Sequence, residues 1–260
     1  MAYMQQIQMG INLLSDIADR SACRRFLAIV QAKGPSWTVT RFGAYEPLKK
    51  VTADTEPGAL CEEWARPSLS GTSGDFHFRT SPPWRASGWV HWSRRPGNTR
   101  FNYISLRVAA SSANLARSAE LLALMDELFV GMNGVHGWIA CSPDYDQQHR
   151  LSLPTGFKYV GSEPTTGIPG LYWANYFSAS LSTFLGEDRV ASTAAFDKYQ
   201  LRNGAWVVLT CKRPDDWCTP ETVTLRHALR ASLGPDRFFD ITAPSREVSV
   251  PVYNFSAVGG

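Results

Sequence analysis

The sequence lacks most signatures of a known reaction. It has no G-x-x-x-x-G-K-[ST] phosphate loop, no G-x-G-x-x-G turn, no H-E-x-x-H helix and no G-x-S-x-G elbow. The glycines around Ser73 have the wrong spacing for a nucleophile elbow. Strong charge of one sign is also missing. The formal net charge is +3, with no run of five basic residues, too little by itself to indicate nucleic acid. Cys23, Cys61, Cys141, Cys211 and Cys218 form an odd set without a C-x-x-C pair. That argues against a disulfide framework or a zinc ribbon, and predicts reduced thiols in a cytoplasmic protein. No Lys or Arg precedes Arg20, so a secretory signal's basic region is absent. The apolar stretch at 7–14 is too short to span a bilayer. No membrane contact is expected.

What is present is core-forming material: 44% hydrophobic residues and nine tryptophans in 260 residues. Helical spacing of Ala22, Phe26, Ile29 and Val30 predicts a helix over 19–33, stopped by Gly34 and Pro35. Residues 36–43 read as a strand. Residues 55–64 read as a short helix, with Thr55 as cap and Pro57 in its first turn. A Ser/Gly/Pro loop at 67–74 precedes strands at 75–80, 87–94 and 100–108, the last two joined by a Pro96-Gly97-Asn98 turn. Trp89 and His91 should share one face, Val90 and Trp92 the other. One long helix is expected over 111–132, capped by Ser111 or Ser112, with Leu115, Leu122, Met125, Phe129 and Met132 as its stripe.

A strand at 134–142 follows, then a polar, turn-rich passage at 143–169. A helix at 178–190 should bury Leu181, Phe184 and Leu185, and 205–210 reads as a strand. Thr219, Pro220, Leu225, Leu229, Leu233 and Gly234 mark a helix with clear start and stop signals. Strands come in runs rather than alternating with helices, which predicts an α+β fold with a largely antiparallel sheet and helices packed against it. The chain reads as one such domain over 1–260, or as two closely packed halves of about 1–142 and 143–260.

Two residue groups could carry chemistry. Cys141 lies near His136, His149, Asp144 and Asp146 in sequence, the types a thiol hydrolase needs. Its apolar strand suits a buried inert thiol equally. Asp144, Asp146 and His149, with His77 or His91, could hold a magnesium-like cation, or could be a solvated loop. The segment 84–95 mixes Trp84, Trp89 and Trp92 with Arg85, Arg94 and Arg95, as a nucleic-acid stacking surface does and as an aromatic sheet face with a charged edge does. Asn254-Phe255-Ser256 fits a glycosylation sequon that a cytoplasmic chain never uses.

The stretch Gly167–Phe177 packs Tyr172, Trp173, Tyr176 and Phe177 around Asn175. Its bulky residues have helical spacing, predicting a helix with Trp173 and Phe177 inward. A buried Asn175 amide left unpaired would cost about 1–3 kcal/mol, so it should bond backbone and pin a neighbouring loop.

From Gly167 to Phe177, then 181–190, an apolar strand, 212–221 and a helix ending in 233–240, together with 41–47 near the start, the chain resembles the bacterial polymorphic-toxin immunity proteins of the immunity protein 52 type. The resemblance implies a non-enzymatic α+β protein that binds a cognate toxin and blocks it by occlusion. In relatives the toxin is often a nuclease delivered between bacterial cells, as in type VI secretion. It implies no catalytic residue, no metal and no cofactor, and a protein partner rather than nucleic acid. The residues expected to meet that partner are Asp144, Tyr145 and Asp146, and Asp215, Asp216 and Trp217. In each group the ring serves as anchor and the acids as steering charges. Glu187 with Asp188 is a further acidic pair. Two alternatives stay open: a Cys- or metal-dependent hydrolase centred on 136–149, and an accessory protein of a phage or secretion system.

Overall fold

The computed structural model describes residues 5–56, 58–95 and 97–255. Pro57 of the short helix, Pro96 of the hairpin and Ser256 of the sequon lie outside the described residues. The fold is α+β, and every strand pair with a described register runs antiparallel. The chain divides into two compact units. Among the described residues, one holds Gln8–Gly134 with 254–255 and the other Val135–Tyr253 with 5–7, so the strands Gln6–Leu13 and Gly134–Cys141 each begin across the division.

The N-terminal unit contains β1 (Gln6–Leu13), α1 (Arg20–Ala32), β2 (Val39–Gly43), β3 (Lys49–Lys50), α2 (Ala59–Trp64), β4 (Ser73–Thr80), β5 (Ser87–Ser93), β6 (Asn102–Ala109), α3 (Ser112–Ala116) and α4 (Ser118–Gly131). Its strand order is β1-β6-β5-β4-β2-β3. Asp19 caps α1 by accepting from Ala22 N at 2.7 Å, and the helix buries Cys23, Phe26 and Val30. Phe26 meets Trp64 and Phe78 at ring distances of 5.3 and 5.4 Å, and Trp64 meets Phe76 at 5.4 Å. Each such ring contributes about 1.5–3 kcal/mol by leaving water.

Four local expectations change. A 3-10 turn at Pro35–Trp37 delays the strand to Val39. Thr55 does not cap α2: its hydroxyl takes the Thr52 N–H, and Gly58 stands at the cap. The long helix breaks at Arg117, whose guanidinium grips Glu120 with two bonds of 2.7 Å and lies over Trp84. Its buried stripe is Leu121, Leu124, Met125, Leu128 and Phe129, while Leu122 stays half-buried. Ser111 does cap the first piece. On β5, Val90 and Trp92 are buried while Trp89 and His91 are half-exposed, as the alternation requires. Trp84 and Trp92 are core residues, so of the two readings of 84–95 the nucleic-acid stacking surface loses two of its three tryptophans.

The C-terminal unit contains β7 (Gly134–Cys141), α5 (Ser142–His149), β8 (Arg150–Leu153), β9 (Gly156–Tyr159), β10 (Ala174–Phe177), α6 (Ala179–Leu185), α7 (Glu187–Ser192), β11 (Asp197–Gln200), β12 (Trp206–Leu209) and α8 (Pro220–Leu233). Its strand order is β11-β12-β10-β7, with β8 and β9 as a separate hairpin. Residues 143–165 fall inside this unit. Leu181, Leu185 and Val190 pack with Phe177, Val208, Leu229, Leu233 and Phe238. The helix expected over 178–190 is two, divided at Gly186, whose φ of +86 favours glycine.

The stretch at 167–177 ends in a strand, not a helix. β10 is paired on both sides, to β7 and β12, and all four of its residues are buried. A strand covered on both faces reads as a continuous apolar run, so its spacing cannot be told from a buried helix. The side-chain expectations hold. Trp173 and Phe177 are buried, and the Asn175 amide donates to the carbonyls of Tyr172 and Val208 while accepting from Tyr172 N.

Candidate functional site

The passages that carried the partner-binding expectation come together in the C-terminal unit. Residues 143–149 are a helix, α5, rather than a polar loop. Pro143 fits its first turn, Tyr145 and His149 share one face, and Asp144 and Gln148 share another. Asp215, Asp216 and Trp217 lie in a 3-10 turn at Pro214–Cys218 leading into α8. Between these elements opens a groove of about 570 Å³. Gln148 and Asp144 line it from α5, Trp217 from the turn, Arg226 and Arg230 from α8, and Phe239 from the following segment.

The groove's charges are neutralised from within. Asp144 is buried, and its two oxygens accept from both terminal nitrogens of Arg226 at 2.8 and 2.7 Å. Gln148 Nε2 adds a bond of 2.9 Å. Burial raises the Asp144 carboxyl above its usual range, and Arg226 pulls it back toward the charged form. Asp144 is therefore a floor residue rather than a steering charge in solvent, because α5 turns it toward α8. Farther along, Asp240 accepts from Thr242 and pairs with Arg230 at 3.6 Å and Arg246 at 3.9 Å. The Thr242 bonds, with the two arginines, hold its carboxyl below the usual range.

The other expected contacts are also engaged locally. Tyr145 is half-buried and stacks on Trp138 with centroids 4.6 Å apart. Asp146 accepts from the Tyr159 hydroxyl at 2.6 Å. Asp215 accepts two bonds from Arg213, at 3.0 and 2.7 Å, and Asp216 accepts from Arg213 N at 3.2 Å. Trp217 is half-buried on the groove wall.

Behind the groove lies a packed aromatic layer. His149 is buried against Tyr145, Tyr172 and Phe239. Its Nδ1 donates to the Val160 carbonyl at 2.8 Å, so the neutral ring's Nε2 accepts from the Tyr172 hydroxyl. Burial lowers its pKa to about 4. The Cys141 thiol is buried and pushed up to about 12, by burial first and by Asp144 second. A thiol held protonated is a poor nucleophile. Among the described residues no group of three His, Cys, Asp or Glu is placed to hold a metal ion. His77 and His91 belong to the N-terminal unit, and Asp144, Asp146 and His149 to the C-terminal unit. Among the described residues no helix is long and apolar enough to cross a membrane.

The groove's main residues beyond the expected set are Arg226, Arg230, Phe239 and Asp240. Arg226 and Arg230 are four apart on a helix whose apolar stripe was legible, so their shared face could have been read. Their partners could not.

An α+β unit with a polar-floored, apolar-walled groove is what these observations define. No family model matches the chain, and no curated protein matches it. Among solved structures it is similar to the Pseudomonas aeruginosa T6SS protein PA0821, with a TM-score of 0.57 and 12% identity. The match covers 87% of this chain and 76% of that one. At this identity the likeness is one of fold.

Proposed function

We propose that the protein is an immunity protein that binds a cognate toxin in the cytoplasm and blocks it by occlusion, without catalysing a reaction. The observation that carries this reading is the convergence of α5 and the 214–218 turn on one groove. Its buried charges are paired, leaving Trp217, Val223 and Ile241 as open apolar wall. Such a groove suits an anchor side chain from a protein partner better than it suits chemistry. The structural likeness to a T6SS protein supports a role beside a secretion system. Three features support this reading over a hydrolase: burial raises the Cys141 thiol, both His149 nitrogens are engaged, and Asp144 is paired with Arg226.

The test is co-expression in a bacterial host with the toxin encoded beside this gene. Wild-type protein and Cys141→Ala should protect equally, and Trp217→Ala should weaken protection while keeping a cooperative melt. Loss of protection in a folded Cys141→Ala variant would count against a binding role.

A further inference from the structure

The outer face of the N-terminal sheet carries a line of cations that the sheet itself does not neutralise. The register sets Lys50 opposite Arg41, Arg41 opposite Arg79, Arg79 opposite Ser87, and Ser87 opposite Arg107. Directly opposed residues share a face, so these side chains form one row across five strands. At roughly 4.8 Å per strand the row spans about 19 Å. Lys50, Arg41, Arg79 and Arg107 are all exposed. Arg79 meets Glu46 at 3.1 Å. Lys50, Arg41 and Arg107 have no ion-pair partner among the described residues.

Like charges set opposite one another destabilise a sheet. A face with no further duty would be filled by Thr, or by Glu against Arg. The imbalance extends to the unit: residues 8–134 hold fifteen Lys and Arg against eleven Asp and Glu, a net of +4, whereas 135–253 hold eleven against twelve.

Beside the row stands an aromatic ladder. His77 stacks on Trp89 with centroids 6.3 Å apart and planes 15° from parallel. Tyr103 meets Trp89 edge-on at 5.8 Å, and His91 lies tilted at 5.8 Å. Asp75 ties the ladder together, accepting from Trp89 Nε1 at 2.8 Å and lying 3.0 Å from His91 Nδ1. These rings pack against one another rather than standing singly. Binding of single-stranded nucleic acid needs open ring faces for its bases. Carboxylates need none: they take the forked guanidinium and the electropositive ring edge.

We infer that this face docks an acidic protein segment, its carboxylates received by Arg41, Arg107 and Lys50 beside the Trp89 ladder. Carboxylates three and four residues apart on a helix stand about 5–6 Å apart, close to the strand spacing of the row. A helix of about 13 residues covers 19 Å. The inference concerns the N-terminal unit and does not rest on the toxin-binding reading.

The test uses the full chain and two labelled probes of equal charge: an Ala/Glu helical peptide of about 20 residues and an oligothymidylate. Fluorescence anisotropy should show the peptide binding wild-type protein, more weakly as salt rises. The Arg41→Thr/Arg107→Thr variant should bind it about tenfold more weakly. Its melting temperature should hold or rise, since a like-charge contact has gone. A purely structural role for these arginines would lower it. Lys50→Glu, on the exposed edge strand, gives an independent variant expected to weaken binding. Failure of the peptide to bind, or unchanged affinity in both variants, would overturn the inference. Tighter binding of the oligothymidylate would replace the acidic protein with nucleic acid.

Discussion

The Asp144–Arg226 pair offers the sharpest test of how the groove is built. Asp144 is 1% exposed and Arg226 13%. Removing one partner of a buried pair leaves the other charge uncompensated, which costs about 3–5 kcal/mol. Asp144→Asn should therefore lower stability by about 3 kcal/mol, a fall in Tm of roughly 6–12 °C for a chain of this length. Arg226→Met should behave differently. Its orphan is a buried carboxyl, which can escape the penalty by taking a proton. Without the guanidinium, the folded-state pKa of Asp144 rises further above the unfolded value. A raised pKa means stability that is retained at low pH and lost as pH rises through the folded value. Arg226→Met should thus be closer to wild type at pH 5 than at pH 8, while Asp144→Asn should show no such recovery. The double variant Asp144→Leu/Arg226→Met should lie nearer wild type than either single change, because burying two apolar side chains avoids both desolvation costs. Urea denaturation at both pH values reads all four proteins. Single variants within about 1 kcal/mol of wild type, the range of a surface pair, would refute the claim that this pair forms the groove floor.

Two further outcomes are expected. Trp173→Ala should cost about 3–5 kcal/mol, because the ring is fully enclosed beside β10 and its Nε1 bonds the Cys211 carbonyl at 3.1 Å; a melt that barely moves would make the ring a recognition element instead. His149 titrates near 4 in the fold against 6.5 for the free side chain, so its contribution is present above 6.5 and is lost as pH falls toward 4. At pH 5 the loss is about 2 kcal/mol, and His149→Gln should flatten the stability profile between pH 7.5 and 5 by that amount.

Elements with local punctuation were legible in the sequence. The Gly34-Pro35 stop of α1, the Thr219-Pro220 start and Gly234 stop of α8, and the alternation of β4 and β5 all need only near neighbours. Elements defined by distant partners were not. The polar composition of α5 looks like a loop until Arg226, 82 residues away, takes Asp144. β10 looks helical until two neighbouring strands claim it. β1 alternates Ile7, Met9, Ile11 and Leu13 with Gln8, Gly10 and Asn12, yet every residue after Gln6 is buried, so its polar half hides an interior strand. The site is half visible in the sequence: Trp217 and Asp144 stand in acid-and-ring groups, while the pairing that makes Asp144 part of the floor joins segments too far apart for spacing to reveal.

That separation also orders events while the chain is being made. A ribosome adds about 5–20 residues per second, so Arg226 is made roughly 4–16 s after Asp144. Throughout that interval the α5 carboxylate has no guanidinium to meet, and burying it would leave a charge unpaired. The nascent α5 face should stay hydrated until α8 emerges, which leaves closure of the groove to that helix.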